Sequence, residues 1–205
     1  MATPIFEDNV ILEAIKESCQ EKKVSSLCNK LIKKNSYKSG KDCETLCHLA
    51  YWLYIYDKAE LALTCIQPTH NIAYFTDAGV WTFIHAMWGL EIRILREQGE
   101  ENKALEIAHA IDEQYLTPTP LVDTREKKAA HEKKRRSRFT YESVINGEKI
   151  EPHLQSGNLN MANGWRFTSL LSMIGNTETG LFPLLAERKH DIELKIQEYI
   201  SELKK

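Results

Sequence analysis

The segment Asp77–Gln98 constrains the fold more than any other part of the chain. On a helix it carries two adjacent apolar stripes. One is Trp81, Ile84, Trp88, Ile92 and Leu95; the other is Val80, Phe83, Met87, Leu90 and Ile94. A helix apolar over most of its circumference must be covered on several sides. The spacing therefore predicts a central helix, closed by Gly99 as its C-cap, with other helices packed around it.

Apolar spacing near 3.6 supplies those neighbours. Ile11, Leu12, Ile15 and Cys19 predict a first helix, and Val24, Leu27, Cys28 and Leu31 a second that ends in the polar "KKNSYKSGK". Leu46, Leu49, Ala50, Leu53 and Tyr56 mark a third. Ala59, Ala62, Leu63 and Ile66 mark a short fourth, stopped by Pro68. After Gly99 a sixth helix is expected over about Glu100–Tyr115, with Ala104, Leu105, Ala108 and Ile111 turned inward. Pro118 and Pro120 then break the pattern. Beyond them "QSGNLNMANGW" and "GNTETG" read as breaks around a helix at Trp165–Ile174. An amphipathic helix over Pro183–Leu203 closes the chain, with Ile192, Ile196, Tyr199 and Leu203 as its stripe. The expected fold class is all-α, built of stacked antiparallel helical hairpins. Its parts are a hairpin region over 1–116, a Pro-containing loop and basic segment over 117–138, and a C-terminal helical part over 139–205 packing on the same core.

Two stretches share one plan. "LAYWLYIYDKAELALTCI" (Leu49–Ile66) and "LEIRILREQGEENKALEIAHAI" (Leu90–Ile111) each run from an apolar helix through a polar turn into a helix opening with x-A-L. The offset is nearly constant, 41 residues between the leucines and 42 between Ala62 and Ala104. Small alanines on the second helix let it sit close to the first, and periods of this size belong to stacked hairpins. The text, "GEENKALEIAHAI" above all, resembles a tetratricopeptide-type repeat. That resemblance implies helical-hairpin packing and peptide or protein binding, with no binding residue carried over.

Chemistry is less evident. "DCETLCH" puts Cys43 and Cys47 on one helix face beside His48, with Cys65 and His70 as further donors. The C-x3-C spacing has no second pair of the kind zinc sites use. Structural thiols and a metal site both stand as readings, and no metal is assigned. His48 adjoins Cys47 and so points about 100° away from it on a helix, which separates thiol from base. No phosphate-binding, zinc-protease, nucleophile-elbow or dinucleotide motif is present. No catalytic residue and no cofactor is assigned, and the chain is expected not to be an enzyme. The five cysteines are odd in number and lie in apolar helical segments, the mark of reduced thiols. The opening "MATPIFEDNV" is acidic, without a signal-like apolar core, and the longest apolar run, Leu49–Tyr56, is eight residues against the ~20 of a membrane span. A cytoplasmic protein without a membrane partner is expected.

Charge is unevenly placed. "REKKAAHEKKRRSRF" (Arg125–Phe139) holds eight basic residues against two acidic ones, and without it the rest of the chain stands at −8. Its only apolar residues before Phe139 are Ala129 and Ala130, so it is neither a core helix nor a membrane-inserting one. It is left as an exposed helix, a linker or a polyanion contact, with Lys133, Lys134, Arg135 and Arg136 as candidate contacts. Glu97, Glu100, Glu101, Glu106, Asp112 and Glu113 make the sixth helix acidic, which suits a basic partner. In "YWLYIY" the aromatics point several ways, so Trp52 and Tyr54 are either exposed anchors or packed between hairpins.

The expectation is therefore a binding module for another protein, with Trp52, Tyr54, Glu100, Glu101 and the four basic residues as contacts. Small size, absent catalytic motifs, an acidic balance outside the basic segment and the aromatic surface candidates are compatible with an immunity protein, and the chain resembles small bacterial helical proteins of that kind. That similarity implies a toxin inhibitor covering its partner's active site. The alternative is a nucleic-acid-binding or regulatory protein using the segment 125–138.

Overall fold

The computed structural model describes residues 9–34, 40–72, 78–116, 146–178 and 188–205, and among them the regular structure is entirely helical. In chain order the helices are α1 (Val10–Ser18), α2 (Lys22–Lys34), α3 (Gly40–Ile55), α4 (Ala59–Ile66), α5 (Ala78–Glu97) and α6 (Glu101–Leu116). They continue with α7 (Glu151–Gln155), α8 (Leu159–Glu178) and α9 (Lys189–Leu203). A 3-10 turn, Gln67–Asn71, follows α4, with Pro68 in its first positions. The fold is all-α. The segment 117–138, with its prolines and most of its basic run, lies outside the described residues.

Helix α5 is central, as its two apolar stripes require. It packs against α3, α4, α6 and α8, and its buried residues include Val80, Trp81, Ile84, Met87, Trp88, Leu90, Ile92, Ile94 and Leu95. Helix α2 packs on α1 and α3, and α9 on α8. Residues of α8 and α9, among them Leu170, Ile174, Ile192 and Ile196, belong to the same apolar core as α1–α5.

The turns between paired helices repeat one geometry. After α3, Asp57 takes φ 60°, the Asp57 N–H donates to Tyr54 O at 3.0 Å, and Lys58 N–H donates to Leu53 O at 2.9 Å. After α5, Gly99 takes φ 80°, with Gly99 N–H to Arg96 O at 3.1 Å and Glu100 N–H to Leu95 O at 2.8 Å. This left-handed cap satisfies carbonyls that the helix end leaves open. In both hairpins an alanine five residues past the left-handed position, Ala62 or Ala104, is buried in the contact with the preceding helix.

The same device occurs a third time where the sequence reads as a break. Gly157 takes φ 71°, Asn158 N–H donates to His153 O at 2.8 Å, and Ala162, again five residues on, is fully buried. Helix α8 therefore starts at Leu159, not near Trp165, and "GNTETG" does not stop it before Glu178. The side chain of Asn158 accepts from Met161 N–H at 3.2 Å, an N-cap that starts the helix despite its weak helix formers. One further expectation is corrected on α6. Leu105, read as inward, is 49 % exposed, and Ile107 packs against the core.

Candidate interaction surfaces

The aromatic cluster of α3 is committed to the interior. Trp52 is only 9 % exposed; its ring stacks on Phe167 of α8 at 5.0 Å and on Tyr56 at 5.6 Å. Phe167 also meets His48 and Tyr51 edge-on. One phenylalanine thus seats α8 over three rings of α3. Tyr51 is buried and donates its hydroxyl to Ala86 O on α5 at 2.9 Å.

Tyr54 is half-buried in an ion network at the C-terminal end of α5. Arg93 sits at its centre, with Nη2 2.9 Å from Glu193 of α9, Nη1 3.7 Å from Glu178 of α8, and Nε 2.9 Å from Glu97. Arg93 Nε also donates to the Tyr54 hydroxyl at 3.0 Å, and that hydroxyl donates to Glu97 at 2.9 Å. Arg96 holds Glu178 at 2.6 Å and Glu101 at 3.5 Å. Burial pushes the Tyr54 phenol up to about 12, so it stays a neutral donor. Burial works to lower the Arg93 pKa, but Tyr54 and Glu193 outweigh it and the net shift is upward. The network joins α3, α5, α8 and α9 through groups that satisfy one another.

A second polar cluster lies where the 3-10 turn meets α5. His70 Nε2 is 2.6 Å from the buried carboxylate of Glu91, and the His70 ring stacks on Trp88 at 4.6 Å. Trp88 Nε1 donates to Thr69 Oγ1 at 2.8 Å, and Thr69 donates on to Ile66 O at 2.6 Å. The residues proposed from "DCETLCH" do not converge on His70. Cys43, Cys47 and Cys65 are buried free thiols, and burial raises the pKa of Cys47 and Cys65 well above the usual thiol range. Among the described residues no group of three or more His, Cys, Asp or Glu is arranged to hold a metal ion.

Two outer helices carry the charge that the interior does not absorb. On α6, Glu101, Leu105, Glu106, His109 and Glu113 are all exposed on adjoining helical rows. Glu100 pairs with Lys103 at 3.2 Å and Glu101 with Arg96, so both of these carboxylates also have partners within the chain. On α2, five lysines and no acidic residue occupy thirteen positions. Lys22, Ser25, Ser26, Asn29, Lys30 and Lys33 line an open trough of about 460 Å³. Periodicity alone identified α2 as a packing helix. The signal passed over was the absence of acid from its outer face. The candidate contacts Lys133, Lys134, Arg135 and Arg136 lie outside the described residues.

Among the described residues no helix is long and apolar enough to cross a membrane. No curated protein and no solved structure shows significant similarity to the chain. One family profile does match, and it spans residues 5–205: the chain belongs to DUF6707, a family of unknown function.

Proposed function

We propose that this chain is a binding module for another protein, with no chemistry of its own. The concrete form is an immunity protein that stays in the cytoplasm and neutralises a bacterial toxin by covering its active site. The observation that supports this reading is the outer face of α6. Leu105, half exposed, stands one turn from Glu101 and one from His109, with Glu106 and Glu113 on the neighbouring row. An exposed apolar residue among carboxylates matches the make-up of binding surfaces, where an apolar anchor sits inside a polar rim. The carboxylates favour a basic partner and speed its approach. The tetratricopeptide-type resemblance supports the same class. In this chain, however, α8 packs across α5 and reaches α3 through Phe167, so binding falls to outer helices.

The test is co-purification of the protein with the product of the neighbouring gene. A salt-sensitive 1:1 complex is expected, weakened by Leu105→Ala and Glu106→Lys together. Absence of a complex with any neighbouring product at low salt removes this reading. The second reading is nucleic-acid binding through the segment 125–138, and what favours it is the surplus of Lys and Arg over acid in that stretch. It requires a mobility shift that Lys133→Glu, Lys134→Glu, Arg135→Glu and Arg136→Glu together abolish.

A further inference from the structure

From the face of α2 we infer a second docking surface that takes an acidic segment of a partner protein. Its six lining residues, Lys22, Ser25, Ser26, Asn29, Lys30 and Lys33, fall at i, i+3, i+4, i+7, i+8 and i+11, a single row along the helix. Eleven rises of 1.5 Å make the row about 17 Å long. Every one of these side chains can donate a hydrogen bond, three are cationic, and none is acidic. None has a side-chain hydrogen-bond or ion-pair partner among the described residues. The two remaining lysines of α2 are used differently. Lys34 pairs with Asp42 at 3.4 Å, and Lys23 lies over the Trp52 ring at 5.3 Å.

Folding accounts for little of this row. Lys22 and Lys23 occupy the first turn, where the helix macrodipole disfavours positive charge, and the turn itself holds no acidic residue. Lys30 and Lys33 are like charges one turn apart, which costs a helix a few tenths of a kcal/mol. Helix α2 is held by Val24, Cys28 and Leu31 on its opposite face, so Lys22, Lys30 and Lys33 take no part in its packing. Lys33, in the last turn, suits the helix dipole, whereas Lys22 and Lys30 make no such contribution in the free protein.

The shape and chemistry of the row select its occupant. All its lining residues come from one helix, so no second wall encloses a small molecule. Nucleic acid is disfavoured on three counts. The face has no arginine for bidentate phosphate contacts and no aromatic residue for stacking a base. Glu17 and Glu21 are exposed just before it. A nucleic acid strand would extend past the row over a chain whose net charge is −2. Carboxylates on a segment of about a dozen residues match the 17 Å of donors and end where the donors end. This surface is separate from the acidic face of α6, and it stands or falls independently of the immunity reading.

The test uses the full chain and a fluorescein-labelled peptide of about twelve residues with repeating Glu-Ala-Ala-Glu. Fluorescence anisotropy at low salt should show binding that fades as salt approaches about 0.3 M. Lys22→Glu, Lys30→Glu and Lys33→Glu together should weaken it by about tenfold or more. A matched control, Lys103→Glu, Lys189→Glu and Lys195→Glu, changes net charge equally on other faces and should bind nearly as the parent does. Thermal melts by circular dichroism confirm that both variants remain folded. Three results overturn the proposal: no binding by the parent at low salt, an equal loss in the control, or tighter binding of a single-stranded oligonucleotide than of the peptide through the same lysines.

Discussion

Gly89 of α5 and Gly175 of α8 meet backbone against backbone: a methyl group at position 89 would lie 2.6 Å from the Gly175 Cα. Gly175 in turn faces the Ala86 Cα, which a methyl group would approach to 3.3 Å. Each glycine inside a helix costs about 1 kcal/mol relative to alanine. Here the absence of two side chains lets the helices close on each other, and the Tyr51 hydroxyl bonds Ala86 O at the same crossing.

Gly89→Ala is therefore expected to lower stability by about 1–3 kcal/mol, although it raises helix propensity. Gly164, also inside α8, has nothing within 4 Å of where a methyl group would sit. Gly164→Ala should accordingly stabilise by about 0.5–1 kcal/mol. Urea denaturation of the two variants beside the parent checks both signs. Stabilisation by Gly89→Ala would show that the helices do not touch there.

The hairpin turns give a second prediction. Gly99 and Gly157 have positive φ and open space around them, so only backbone strain opposes a side chain. Gly99→Ala and Gly157→Ala should each cost about 1 kcal/mol, and asparagine at either site should cost less. Equal melting temperatures for the alanine and asparagine variants would contradict the left-handed cap.

Removal of Arg93 should be destabilising. Its side chain is 7 % exposed and that of Glu178 3 %, so Arg93→Met leaves the buried Glu178 carboxylate with Arg96 as its one remaining described partner. A loss of about 1–3 kcal/mol is expected, less than for a buried charge left with no partner, because Arg96 still holds Glu178. Adding Glu178→Gln should recover part of it, because the buried charge is then gone. A double-mutant cycle on denaturation free energies reads the coupling directly.

His48 gives the fold an acid-sensitive point. Burial against Phe167 holds its imidazole below the usual 6.5; Lys30 and Lys23 push the same way and Glu44 opposes them. The unfolded chain then takes up the proton at higher pH than the folded one. The contribution of neutral His48 is fully present above about pH 6.5 and is lost as pH falls below it. His48→Gln should shrink the stability difference between about pH 7.5 and pH 5, measured as urea midpoints. An unchanged difference would place the acid sensitivity elsewhere.

The helices whose apolar residues recur at 3.6 were legible in the sequence. Trp81 to Leu95 declared a helix covered on several sides, and Ala62 and Ala104 declared two hairpins of one design. Helix α8 was not legible in the same way. Asn160, Asn163, Gly164 and Gly175 are weak helix formers, and local propensity placed breaks where the chain continues as helix. What holds α8 is distant in sequence: Phe167 on Trp52, Gly175 on Gly89, Glu178 on Arg93 and Arg96.

The same division applies to the candidate surfaces. The sequence by itself determined helical class, hairpin pairing and the sign of charge on each helix, because these follow from residue type and spacing. Only the tertiary structure decided that Trp52 and Tyr54 are occupied inside the fold, that Leu105 faces outward, and that Lys22, Lys30 and Lys33 of α2 have no side-chain partner among the described residues. Exposure and pairing depend on which helices pack together, and contacts made across a hundred residues, such as Arg93 with Glu193, leave no trace in local sequence.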